Sequence, residues 1–338
     1  MRQIIEIAKR EFRNLFYSPV GWLVLIIFAL QIGSLLTGSL SSRSVRVWSG
    51  LSEGMLSLTY NMLFSGGNSI IGGIVGNLYL YIPLLTMGLL SREFNEGTIK
   101  LLYSSPVDIF EVVLGKFLAI MGFALLMVGI VAGFGVLLGL FIINNIDISL
   151  LLWSLLLLYL LICTYAAIGL FISSLTNHQF VAAIGVVGVL FGLNYASTMT
   201  TEGMPEFISV LLVWLQGVSF LYTFQGFVGT WDILYFILMI VLFLGFTYIR
   251  LQSLRDSKPW WDKTLKYAMM LVVVLSIGYV SSRPQFKYYT DVRRAELIDT
   301  KILISRDDVP KWRVILMQVI PGTMIVFATV VITRRRRQ

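Results

Sequence analysis

The chain has 338 residues, of which 57% are hydrophobic and 13% charged, with a formal net charge of +8. A soluble domain carries about 25% charged residues, so this chain has too little polar surface to cover a water-facing core. That excludes a soluble enzyme and makes the apolar stretch of about 20 residues, long enough to cross a bilayer, the unit of reading.

Residues 1–18 come first. Ile4, Ile5, Ala8, Phe12, Leu15 and Phe16 share one helical face, while Lys9, Arg10, Glu11 and Arg13 mostly occupy the other. The pattern predicts an amphipathic helix lying on the inner leaflet, with Arg10, Phe12 and Arg13 at the lipid boundary. Ser18 and Pro19 then open the first span.

Eight apolar spans are predicted, at 19–40, 70–90, 113–143, 148–172, 179–200, 231–249, 267–282 and 314–333. The expected fold class is all-α, a polytopic membrane protein. The run 113–143 exceeds the bilayer thickness and is expected to tilt or project. Residues 204–229 are apolar but interrupted by Pro205, Gly217, Gly226 and Gly229. They are expected to form a re-entrant or interfacial hairpin with both ends outside.

Lys and Arg fix the orientation. Arg2, Lys9, Arg10 and Arg13 precede the first span, Arg250, Arg255, Lys258, Lys263 and Lys266 follow the sixth, and Arg334 to Arg337 close the chain. The three earlier outer loops hold only Arg43 and Arg46, so both termini are expected in the cytosol. The net charge is therefore a topology signal, and no basic surface is left for nucleic acid. The last outer loop, 283–313, breaks the rule with Arg293, Arg294, Lys301, Arg306, Lys311 and Arg313 among others. Long loops and folded domains translocate regardless of charge. This loop is therefore expected to mark the place of a larger extracytoplasmic domain or partner.

Several chemistries drop out. His178 and Cys163 are the single histidine and cysteine, which leaves neither a metal cluster nor a disulfide framework. Cys163 is expected to pack inside a span and His178 to sit in a solvated turn. Gly115-Lys116 is followed by Phe117, without the upstream glycine or the hydroxyl residue of a P-loop. No catalytic residue and no cofactor of its own are expected. Gln31, Asn77, Asn194 and Gln318 lie in span interiors, but no Asp, Glu, Lys, Arg or His lies deep within any span as drawn. An ion-coupled carrier is disfavoured on that ground. The pairs Gly129/Gly133, Gly135/Gly139 and Gly188/Gly192 read as helix-packing positions.

The inner loop 91–107 is the most distinctive segment. Its sequence predicts a short charged helix, a break at Gly97, and a second amphipathic turn ended by Ser105-Pro106. Such an element can dock into a groove on a cytosolic partner; the plainer reading is a solvated loop. The second inner turn, Ser173 to His178, is short and carries no Lys, Arg, Asp or Glu, so it is the poorer docking candidate.

The run Glu93-x-x-Glu96-Gly97-Thr98-x-x-Leu101-Leu102-x-x-x-Pro106, followed by Leu114-Gly115-Lys116, resembles the coupling region of ABC-2 permeases. The resemblance implies a six-span permease domain over 19–250 in a bacterial inner membrane. It also implies a homodimer facing two copies of a cytosolic ATPase, which would hold ATP and Mg. Glu93, Glu96, Gly97, Thr98, Leu101, Leu102 and Pro106 would make the ATPase contact.

Residues 217–236 are similar to a segment of the gliding-motility permease subgroup. Residues 251–338 look like the two terminal spans of the gliding-motility auxiliary protein, without the large domain between them. The resemblance implies an exporter subunit. Its alternative is a mechanotransmission component that passes ATP-driven motion to extracytoplasmic partners and moves no solute.

Overall fold

The computed structural model describes residues 2–48, 70–99, 107–141, 148–198, 227–255, 260–281 and 289–291. In chain order these form α1 (Arg2–Tyr17), α2 (Pro19–Trp48), α3 (Ile70–Thr86), α4 (Ser91–Asn95), α5 (Ile109–Phe141), α6 (Ile148–Ser173) and α7 (Gln179–Thr198). A short strand β1 (Phe227–Gly229), α8 (Thr230–Arg255), α9 (Trp260–Ser281) and a second strand β2 (Tyr289–Asp291) follow.

Among the described residues, five stretches are long and apolar enough to cross a membrane: Pro19–Gly38, Ile70–Asn95, Ile109–Leu137, Leu151–Ser173 and Ile233–Arg255. They coincide with the first four predicted spans and the sixth. The fifth and seventh coincide with the shorter apolar helices Gln179–Leu193 and Thr264–Ile277. The eighth, 314–333, lies outside the described residues. At 33 residues and a rise of about 1.5 Å each, α5 is about 50 Å long and outruns the bilayer core, as its apolar run predicted.

The core is centred on α6. Of its spanning window, 72% is buried, against 33% for the window of α8, and Leu161 through Leu170 are buried on every side. A helix apolar all round belongs in the middle of a bundle. Gly169 admits α3 at close range: a Cβ there would collide with the side chain of Thr86. Small residues at such crossings let backbones approach where dispersion, not water exclusion, holds helices together. Cys163 is buried at 1% exposure, in the packing place expected of it. Gln31 Nε2 donates to Gly73 O at 2.8 Å and its Oε1 accepts from the Tyr81 hydroxyl, which joins α2 to α3 across the apolar core.

The helix ends sort into two layers. Gln179, opening α7, lies beside Gly88, just past α3. Phe110 near the start of α5 stacks edge-on with Tyr248 of α8, and Phe171 near the end of α6 meets Phe246. The end of α3, the start of α5, the end of α6, the start of α7 and the end of α8 therefore share one layer. Arg250 and Arg255 lie there, and it is the layer that the sequence reading expects on the inner side. The chain leaves the opposite layer after α7 and re-enters it at α8, which puts both ends of 199–229 on one side.

The described residues form the helical fold expected, with one short addition: β1 pairs antiparallel with β2, Phe227 opposite Asp291, Val228 opposite Thr290 and Gly229 opposite Tyr289. β1 directly precedes α8, and β2 follows α9 after residues 282–288; backbone N–H and C=O groups there have no helical partner and satisfy each other instead. The ladder brings the end of the interrupted segment 204–229 to the start of the predicted outer loop 283–313. The remainder of both segments lies outside the described residues.

Candidate functional site at the inner face

Between α3 and α4 the chain turns without a capping side chain of its own: Leu90 precedes α4 in the right-handed region and makes no side-chain cap. The N–H groups at a helix start need acceptors. Ser173, the last residue of α6, supplies one. Its Oγ accepts from Leu90 N at 3.2 Å and Ser91 N at 3.1 Å, and donates to Met87 O at 3.1 Å. The Ser91 hydroxyl also donates to Met87 O. The inner turn read as the poorer candidate thus opens with the residue that seats α4.

Gly97 closes α4 with φ +70°, and its N–H bonds to Phe94 O at 3.3 Å. A Cβ there would meet nothing within 4 Å, so the need for glycine is conformational: L side chains resist this left-handed region. The break expected at Gly97 is in place.

Lys116 holds the site together. It lies two turns into α5, its side chain is 2% exposed, and its ammonium donates to Glu11 Oε1 at 2.8 Å, Glu93 Oε1 at 2.7 Å and Leu89 O at 2.9 Å. All three N–H donors are used. A cation stripped of water needs such compensation, and these partners come from α1, α4 and the turn after α3. Leu89 O lies in the turn just past the carbonyl-rich end of α3, and such a helix end favours a positive charge.

Gly115 explains how α1 comes so near. A Cβ at Gly115 would lie 2.7 Å from Ile7 Cγ2 and 3.2 Å from Ile4 O, and one at Gly122 would lie 3.1 Å from Phe12. Two turns apart on α5, these glycines form the floor on which α1 rests. The amphipathic helix is therefore docked on α5 as well as amphipathic. Phe12 packs inward, and Arg10 and Arg13 are exposed. Glu11, which the helical pattern placed on the polar face, points to Lys116.

The residues expected to contact an ATPase divide. Glu93 turns inward to Lys116. Glu96 is exposed and lies 3.8 Å from Arg92 one turn back, a surface pair of little energetic weight. Thr98 is exposed and donates to Glu93 O at 3.3 Å. Leu101, Leu102 and Pro106 lie outside the described residues. His178 is exposed in its turn. Sequence reading missed Glu11 and Ser173, and it overlooked Lys116 as a buried charge at the end of a span; the Gly115-Lys116 pair was the available signal.

The model of the ABC-2 family transporter protein matches residues 5–281. No curated protein matches the chain. The match begins within α1, includes the whole inner-face site and ends with α9, running past Arg250 without a break. A helical bundle with membrane-length apolar helices, matched over most of its length, makes this a multi-pass membrane protein that belongs to the ABC-2 family of transporter proteins.

Proposed function

We propose that the chain is the membrane-spanning subunit of an ATP-driven ABC-2 exporter, working as a homodimer with two copies of a separate cytosolic ATPase. Segment 91–107 is the ATPase contact in this reading. The observation that carries it is the mounting of α4: Ser173 seats its start, Lys116 holds Glu93, and Gly97 turns the chain so that Glu96 and Thr98 face outward. A segment built to be pushed needs a rigid base and an exposed tip. ATP and Mg would sit on the partner, whose closure would press on this tip and tilt the spans.

Co-purification with the tagged chain tests the contact. Glu96→Lys reverses the exposed charge and Gly97→Leu forces a side chain into a left-handed backbone; both should insert in the membrane but recover less ATPase and lower its turnover. Normal recovery and normal turnover in both variants would sink the assignment.

The second reading, transmission of motion without a solute, has one observation in its favour. The β1–β2 ladder ties the outer start of α8 to the segment following α9, so a tilt of α8 would reach any extracytoplasmic partner near 283–313. The narrower assignment to gliding-motility permeases, with a fused auxiliary region, draws its support from residues 217–236, 286–292 and 309–338. Recovery of an extracytoplasmic partner only when 283–313 is intact would favour transmission; vesicle uptake of a solute driven by ATP would favour export.

A further inference from the structure

We propose that Lys116 is a positioning residue that locks α1 to α4, so that the helix at the membrane surface and the helix of the ATPase contact move as one body. The ammonium has three donors and spends one on Glu11 of α1, one on Glu93 of α4 and one on Leu89 O. At 2% exposure it has no water to replace a lost partner, so neither helix can leave without stranding a buried charge. The two carboxylates lie 105 and 23 positions from Lys116, and without the lysine they would face each other as like charges.

A simple brace would need one carboxylate. Two, from elements that touch different surroundings, make a joint. α1 exposes Ile5, Arg10 and Arg13 along its outer side, and α4 leads to exposed Glu96 and Thr98. Gly115 lets α1 close on α5 one residue before the lysine. Motion imposed at the tip of α4 is thereby delivered to α1, and a change in how α1 sits on the membrane is delivered to α4. The lock is a property of this chain alone; only the source of the motion rests on the ATPase reading.

Amide hydrogen exchange on the full chain in lipid nanodiscs, without ATPase, tests it. Coupling between two elements is reciprocal. Glu11→Gln should therefore quicken exchange by about tenfold in 91–99 as well as in α1, and Glu93→Gln should quicken it in 2–17 as well as in α4. Lys116→Met should quicken both segments more than either single change. Effects confined to the element that carries the substitution would overturn the lock, whatever the lysine variant does. Should Lys116→Met fail to accumulate, the two glutamine variants still decide. Reciprocal effects in a chain that recovers no ATPase would leave the lock standing and sink the proposed contact; confined effects in a chain that recovers it normally would do the reverse.

Discussion

Ser173 shows how one hydroxyl can seat a helix. It serves two amide donors and one carbonyl acceptor at the same corner, the carbonyl being shared with the Ser91 hydroxyl. Ser173→Ala should leave Leu90 N and Ser91 N buried without an acceptor, at a cost of about 1–3 kcal/mol. The check is the thermal midpoint in detergent, which should fall for alanine and recover in part for Ser173→Thr; an unchanged midpoint for alanine would refute the role. Little of this was legible in the sequence. Ser173 is separated by 83 and 82 residues from the amides it serves, and a lone serine at a span end looks like any other. Lys116 was visible as part of a motif, but which carboxylates it meets depends on how α1 folds back, and no local pattern encodes that.

At the scale of elements, the helices that cross the membrane were legible because apolar length is a strong signal. The three-residue strands were not, since three residues cannot show alternation. α1 was legible as amphipathic, yet its apolar face was assigned wholly to lipid. Gly115 and Gly122 show why that was incomplete: a floor of hydrogens on α5 receives Ile7 and Phe12. Gly115→Ala should push Ile7 aside and loosen α1, which limited trypsin digestion at Arg10 and Arg13 would report as faster cleavage. Ile7→Ala placed in the same chain should offset part of that loss, because residues in direct contact are not additive. Equal cleavage rates for wild type and Gly115→Ala would show that α1 does not depend on this approach.

For the whole molecule, the placement of both ends of 199–229 in one layer makes a topological prediction. Single cysteines replacing Glu202 and Trp231 should both react with a membrane-impermeant reagent added from the same, outer side of the membrane. Labelling of Glu202→Cys from outside and Trp231→Cys only from inside would invert the last two helices. The ladder itself is checked by pairing Val228→Cys with Thr290→Cys, which face each other in register. Antiparallel partners lie about 4.5–5.5 Å apart between Cα atoms, within disulfide reach, so mild oxidation should join them. Failure to form the bond in well-inserted protein would show that the strands do not pair.

The same ladder has a mechanical consequence. α8 and α9 are joined at the inner end by residues 256–259 and at the outer end by three paired residues on each side. A helical hairpin fastened at one end can open like a pair of tongs, whereas one fastened at both ends can only rock or twist as a frame. A twist of α8 is therefore passed through the ladder to Asp291, so that β2 keeps the angle of the frame.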